Sequence, residues 1–149
     1  MVGDMDSRLK IKLYNGWRLV ENEGVLASYV KGASCLQFSQ AHKKGSPLQD
    51  DPEQLISICE KLTQRMRGSR DMSSASGKCA FGIFGTVVAK GDYPAHFQAW
   101  VLKNENDLIL ITQTCETEPS PQEITEAGAI ALMTKLGTAD GPVAEPRLM

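Results

Sequence analysis

Apolar residues along this chain recur with a two-residue period in several short runs and with a helical period in two longer ones. The densest stretch is 79–115, CAFGIFGTVVAKGDYPAHFQAWVLKNENDLILITQTC. In its first run, Cys79 to Lys90, the period puts Phe81, Ile83, Gly85 and Val87 on one face. Ala80, Gly82, Phe84, Thr86 and Val88 share the other, so the strand is expected to be covered on both sides. Gly82 and Gly85 leave room for the close approach of another backbone or a helix. Gly91-Asp92-Tyr93-Pro94 breaks the run, because proline cannot donate to a ladder. The second run, His96 to Lys103, sets Phe97, Ala99 and Val101 opposite His96, Gln98, Trp100 and Leu102. A polar loop, 103–107, leads to the third run, Leu108 to Cys115. Short loops make neighbouring strands antiparallel, so 79–115 reads as a meander.

The first part of the chain alternates in the same way. Leu9, Ile11 and Leu13 oppose Lys10, Lys12 and Tyr14, a strand with one wet face. Asn15-Gly16 is a strong hairpin signal and predicts that Trp17 to Val20 returns beside it. Val25–Val30 and Ser34–Gln40 follow as strands, separated by turns at 21–24 and 31–33, and His42 to Asp50 is a polar linker. Two helices are predicted by their caps. Asp51-Pro52-Glu53-Gln54 opens the first, whose apolar stripe is Leu55, Ile58, Cys59, Leu62 and Met66 and whose natural stop is Gly68. Ser120-Pro121-Gln122-Glu123 opens the second, with Ala127, Gly128 and Ala131 as small residues suited to close packing on a sheet, and Gly137 as its stop. The segment between, Gly68 to Lys78, is rich in small polar residues and reads as a loop. The order β-β-β-β-α-β-β-β-α implies an α+β fold: an antiparallel sheet of about six to seven strands with two main helices packed on it.

The 149 residues suit one domain with a real core, with 1–8 as an N-terminal extension and 138–149 as a tail. A net charge of −2 offers no general attraction for nucleic acid or anionic lipid. No apolar stretch is long enough to span a bilayer, and the opening lacks the apolar core of a secretory signal. A cytoplasmic location is therefore expected. Cys35, Cys59, Cys79 and Cys115 form no C-x-x-C pair, and in a reducing compartment they are expected as free, mostly buried thiols.

The stretches GWRLVENEGVLASYV, DPEQLISICEKL and GIFGTVVAKGDYPAHFQAWVLKNENDLILITQTCE, in that order before a last helix, resemble the PsbP-like sandwich group. That group includes photosystem extrinsic proteins, a small Ran-binding nuclear import factor and many bacterial proteins. The resemblance covers about Lys10 to Leu136. It implies a central antiparallel sheet with helices on it, acting as a binding or assembly module without chemistry of its own. It carries over no site residue.

The residues themselves point the same way. No spacing of His and Cys suits a metal, so no metal or cofactor is expected. The GIFG glycines lack the lysine and the following helix of a phosphate loop. Helix capping accounts for Asp50, Asp51 and Glu53, and no catalytic residue is assigned. His42, Lys43, Lys44 and Lys31 make a small basic patch of the usual surface kind. Trp100, if exposed beside His96 and Gln98 and near Tyr93, would form an aromatic-polar patch suited to protein contact, although each aromatic taken alone is more often core. The expectation is a non-enzymatic protein-binding module, an adaptor or an immunity-type inhibitor, whose partner is another protein. The alternatives are a small-molecule binder or minor enzyme with a pocket between sheet and helix near His96 and Cys115, and self-association as a homodimer.

Overall fold

The computed structural model describes residues 9–21, 24–40, 51–64, 71–92, 94–104 and 107–136. The expected extension at 1–8, the linker at 42–50, the basic residues within it, Met66, Gly68 and the tail at 138–149 all lie outside those residues.

The elements run β1 (Leu9–Lys10), β2 (Arg18–Leu19), β3 (Ala27–Lys31), β4 (Ser34–Gln40), α1 (Pro52–Thr63), β5 (Asp71–Lys78), β6 (Ile83–Lys90), β7 (His96–Lys103), β8 (Leu108–Cys115), α2 (Pro121–Met133) and β9 (Lys135–Leu136). Seven strands form one sheet in the order β2-β3-β4-β8-β7-β6-β5, and every neighbouring pair is antiparallel. The fold is α+β, as the strand and helix pattern implies. The β6-β7-β8 meander is formed, and β8 pairs on its far side with β4, which joins the two halves of the chain.

Three local expectations are corrected. Asp71–Lys78, read as a loop, is an eight-residue strand. It pairs with β6 residue for residue from Asp71↔Lys90 to Lys78↔Ile83. DMSSASGK has no apolar alternation because most of its side chains are exposed, so pairing with β6 makes the strand, and its own periodicity does not. Second, Asn15-Gly16 turns the chain, with Trp17 N–H donating to Tyr14 O at 3.4 Å, but no hairpin forms around it. Leu9–Lys10 pairs instead with Lys135–Leu136, while Leu9, Ile11, Leu13 and Tyr14 pack on the main core. Third, the two-residue period of the 79–90 run holds only from Ile83. Cys79 and Gly82 close the β5–β6 turn, so Phe81 packs in one core and Ile83 in the other.

The pleat sorts the core into two. One face carries Leu36, Phe38, Trp100, Leu102, Ile109 and Ile111, against which α2 lays Ala127, Ile130 and Ala131. The other face carries Val87, Ala99, Val101 and Leu108, covered by Leu55 and Cys59 of α1. Both caps form as expected. The Asp51 carboxylate accepts from Glu53 N–H at 3.0 Å, and the Ser120 hydroxyl accepts from Glu123 N–H at 3.1 Å. The α2 helix ends at Thr134, before Gly137, and the chain turns directly into β9. Gly128 is not at the sheet contact, because a Cβ there would meet nothing within 4 Å.

Candidate functional site

Two places in this frame concentrate polar chemistry: the joint under the first turns of α2, and the outer edge of β5. At the joint, Glu123 and Glu126 are three residues apart and share a helical face directed at the β3–β4 turn. Glu126 Oε1 accepts from Lys31 Nζ at 2.7 Å and from Trp17 Nε1 at 2.8 Å, and its Oε2 accepts from Gln122 at 2.9 Å. Burial works to raise the Glu126 pKa, but the Lys31, Gln122 and Trp17 hydrogen bonds outweigh it and hold the carboxyl below its ordinary value. Glu123 Oε1 accepts from the Ser34 hydroxyl at 2.6 Å and from Ala33 N–H at 3.2 Å. Gly32 adopts φ +59 beneath it, and a Cβ at that position would run into the Glu123 carboxylate. The turn therefore needs glycine both for its backbone and for the approach of the helix. The bonds from Lys31, Ala33 and Ser34 tie α2 to β3, β4 and the turn between them, and both carboxylates are engaged.

Deeper in the same face, Gln113 Nε2 donates to the Ser34 hydroxyl at 3.1 Å, and Ser34 Oγ lies 3.3 Å from Cys115 Sγ. His96 is the direct cross-strand partner of Cys115. The sequence alternative of a site near His96 and Cys115 thus names two groups the fold does bring together. Their state is that of an interior. Burial raises the Cys115 thiol above its ordinary value despite the Ser34 hydrogen bond, and pushes Cys59 up to about 12. Such thiols are protonated and poor nucleophiles. All four cysteines are free thiols, with Cys59 and Cys115 buried.

His96 is 2% exposed, and neither ring nitrogen has a hydrogen-bond partner among the described residues. Gln113 lies beside the ring, but its buried Oε1 also has no partner there. Burial, with help from Lys90, lowers the His96 pKa, against the opposing pull of Glu118 and Gln113. The folded state therefore takes up its proton later than the unfolded chain as pH falls. This histidine's contribution is complete above pH 6.5, the ordinary histidine value, and is lost as pH drops below it. We expect stability to decline by up to about 1.4 kcal/mol per pH unit over that window from this one group. Urea midpoints between about pH 5 and pH 7.5 for the native chain and for His96→Leu would check it. The variant should show the shallower slope; equal slopes would mean that His96 is not held neutral.

The residues singled out as a surface patch are placed differently. Trp100 is 1% exposed and sits in the core with Ile111 as its cross-strand partner, so it presents no aromatic face to a partner. His96 is interior, as described. Gln98 is half-buried and donates to the Thr86 hydroxyl at 3.0 Å. Tyr93 lies outside the described residues. The condition of exposure on which that patch rested is not met, because the Trp100 side of β7 faces the α2 core. An open groove over Val30, Cys35, Gln37 and Thr114 is on the opposite sheet face from His96.

The outer edge of β5 carries the better surface. Among the described residues, β5 has no neighbour on its outer side. Its hydrogen-bonding register follows from the turn that ends it. Cys79 N–H donates to Gly82 O at 2.9 Å and Gly82 N–H to Cys79 O at 3.2 Å, so these two exchange both bonds. The pairing then continues without a slip to Asp71↔Lys90. In an antiparallel ladder such pairs alternate, so Gly77, Ala75, Ser73 and Asp71 bond inward to β6. Met72, Ser74, Ser76 and Lys78 turn their N–H and C=O groups to the open edge. The bond from Gly91 N–H to Ala95 O agrees, since it directs the odd-numbered residues of β6 towards β7. The exposed large apolar side chains among the described residues are Met72, 50% exposed on β5, and Leu19, 67% exposed on β2 at the other end of the sheet.

Comparison with known proteins adds a fold and no more. The chain resembles LpqN. That protein, described as involved in cell envelope biogenesis of Mycobacterium tuberculosis, superposes with a TM-score of 0.59 at 9% identity, over 87% of this chain and 83% of LpqN. No family model matches, and no curated protein matches. Among the described residues no helix is long and apolar enough to cross a membrane, and no group of His, Cys, Asp or Glu is placed to hold a metal ion.

Sequence reasoning missed β5 because composition alone marked it as a loop. It missed the Glu123–Glu126 joint because acidic residues at a helix start already have an explanation in capping. A signal was present: Glu126 lies a full turn further on, past the usual reach of a cap.

Proposed function

We propose that this chain is a non-enzymatic, cytoplasmic protein-binding module, an adaptor or immunity-type inhibitor, that receives a partner protein at the open edge of β5. The observation that carries this reading is an eight-residue strand that, among the described residues, has no neighbour on its outer edge and lacks the usual protection. Natural edges are shortened, bulged, covered, or broken by proline and inward-pointing charge. Here the ladder to β6 is free of bulges, Met72 to Gly77 carries no charge and no proline, and most of the strand is exposed. Strand addition to such an edge supplies affinity through main-chain hydrogen bonds. The PsbP-like resemblance, in which binding or assembly is the usual role, supports it. The reading of a small-molecule pocket draws on the unpartnered atoms of His96 and Gln113. Their burial and the protonated state of Cys115 weigh against chemistry there.

The test is capture of the partner from the source organism's lysate by the tagged chain and by Ser74→Pro. Ser74 N–H points outward, so proline there spares the β6 ladder and removes an edge donor. The native chain should retain a stoichiometric protein that Ser74→Pro loses. In the purified complex, the amides of Met72, Ser74, Ser76 and Lys78 should exchange more slowly than in the free chain. A complex that survives Ser74→Pro with those amides unprotected would remove β5 as the docking site.

A further inference from the structure

The β5 edge also specifies what it accepts, and this inference rests on the docking reading above. Ser73 and Ala75 direct their side chains to the sheet face opposite α1, where Gly77 leaves a gap beside them, and Ser73 and Ala75 are exposed there. Beside them on β6 stand Val88, half-buried, and Thr86 and Phe84, their direct partners being Ser73↔Val88, Ala75↔Thr86 and Gly77↔Phe84. The result is a strip of small residues whose far wall is apolar at Val88 and Phe84, with Thr86 buried between them. A strand added to β5 meets Ser73, Ala75 and Gly77 in the pairs that do not exchange hydrogen bonds, where the side chains come closest. Large residues at those three places would cover the small ones and reach the β6 wall, a cross-strand contact of the favourable aromatic or β-branched kind. On the other face, the exposed Lys78 calls for an acidic partner, and Met72 for an apolar or neutral one.

We propose that β5 binds an extended antiparallel segment of another protein in which an acidic residue is followed by bulky β-branched or aromatic residues at alternate positions. Numbered from its N-terminal end, the segment places the acid opposite Lys78. Its second, fourth and sixth residues lie opposite Gly77, Ala75 and Ser73, and its length is about seven residues at roughly 3.4 Å each. A second copy of this chain is the poorer occupant. Pairing β5 with itself about a two-fold axis preserves the sheet faces, so Ser73, Ala75 and Gly77 meet only one another. That buries little apolar surface, where a stable interface needs about 1,200 Å² or more in total.

A displayed library of heptapeptides with all positions randomised, panned on the full chain, tests the pattern. Enriched peptides should carry bulky β-branched or aromatic residues at positions two, four and six and an acid at position one. A synthetic peptide of the enriched sequence should bind about tenfold more weakly when those three residues become alanine, since each cross-strand pair contributes modestly. It should also be lost on Ser74→Pro, and on Ala75→Glu, a change at an exposed position that leaves the fold intact while placing charge in the strip. Peptides lost on Ser74→Pro but showing no alternation would overturn this specificity and leave the edge reading standing. Peptides that bind Ser74→Pro as well as the native chain, or no enrichment at all, would overturn the edge reading itself. A dimer in sedimentation that Ser74→Pro abolishes would make the occupant a second copy and overturn the proposal.

Discussion

Trp100→Ala should destabilise the folded state by about 3–5 kcal/mol, the usual cost of emptying a large aromatic site from a core. Trp100 is 1% exposed and lies in the centre of β7, between Thr86 on β6 and Ile111 on β8. The side chains gathered with it, Leu36, Phe38, Leu102 and Ile109 among them, are themselves fully buried, so little of the space can refill. Sheet strands on both sides hold the site open, because closing the gap would mean moving a ladder. For a chain of this length the melting temperature should drop by roughly 10 °C or more. Thermal unfolding followed by circular dichroism would measure it. A drop of only a degree or two would mean that the two-layer packing around β7 is not as described. The same burial changes how a binding experiment is read. Loss of a partner on Trp100→Ala would follow from loss of the fold, so edge variants such as Ser74→Pro are the ones that report on docking.

The residues show why the frame was legible and the surface was not. The β7 and β8 runs are apolar on both faces over much of their length because α2 covers one face and α1 the other, so the two-residue sorting of their side chains is a direct imprint of the core. The caps at Asp51 and Ser120 are equally local: a side-chain acceptor, a proline at the first helical position and a carboxamide or carboxylate at the third suffice to write them. β5 left no such imprint. Its side chains are small and mostly exposed, and what makes it a strand is a partner five or more residues away on β6. Asn15-Gly16 failed in the opposite sense. Its local signal is strong and the turn forms, but burying Leu9, Ile11 and Leu13 on the α2 side outweighs pairing with β2. Trp100 shows the limit most plainly. Alternation placed it correctly with His96 and Gln98, but whether that face is covered is settled by α2, some twenty residues further along. Both the buried His96–Gln113 cluster and the open β5 edge depend on that long-range choice, and neither is written in the spacing of nearby residues.

Gly85 is where the second layer can be tested. It is buried at the middle of β6, and α1 crosses directly over it. A Cβ at Gly85 would lie 2.8 Å from the Ile56 backbone nitrogen and 2.8 Å from Leu55 Cβ, with Leu55 C at 3.0 Å. These atoms belong to the helix backbone or its root, so no rotamer change relieves the clash and the helix must lift. Cys59 marks the same closeness a turn later, its thiol lying 3.5 Å from the carbonyl oxygens of both Gly85 and Ala99. Gly85→Val should therefore cost about 3 kcal/mol, the upper end of ordinary overpacking. It should also loosen α1 selectively. Amide exchange in 52–63 should speed up relative to the β7–β8 ladder, because the α2 layer on the far face is untouched. Gly128→Ala supplies the contrast: with nothing within 4 Å to meet the added methyl, alanine in mid-helix should stabilise by about 0.5–1 kcal/mol. The two glycines look alike as residues that let a helix approach a sheet, yet opposite signs are expected, because only Gly85 has a backbone pressed against it. If Gly85→Val were tolerated without loss of protection in α1, that helix would not be seated on β6, and the α1-facing side of β5 would be as open to a partner as its other face.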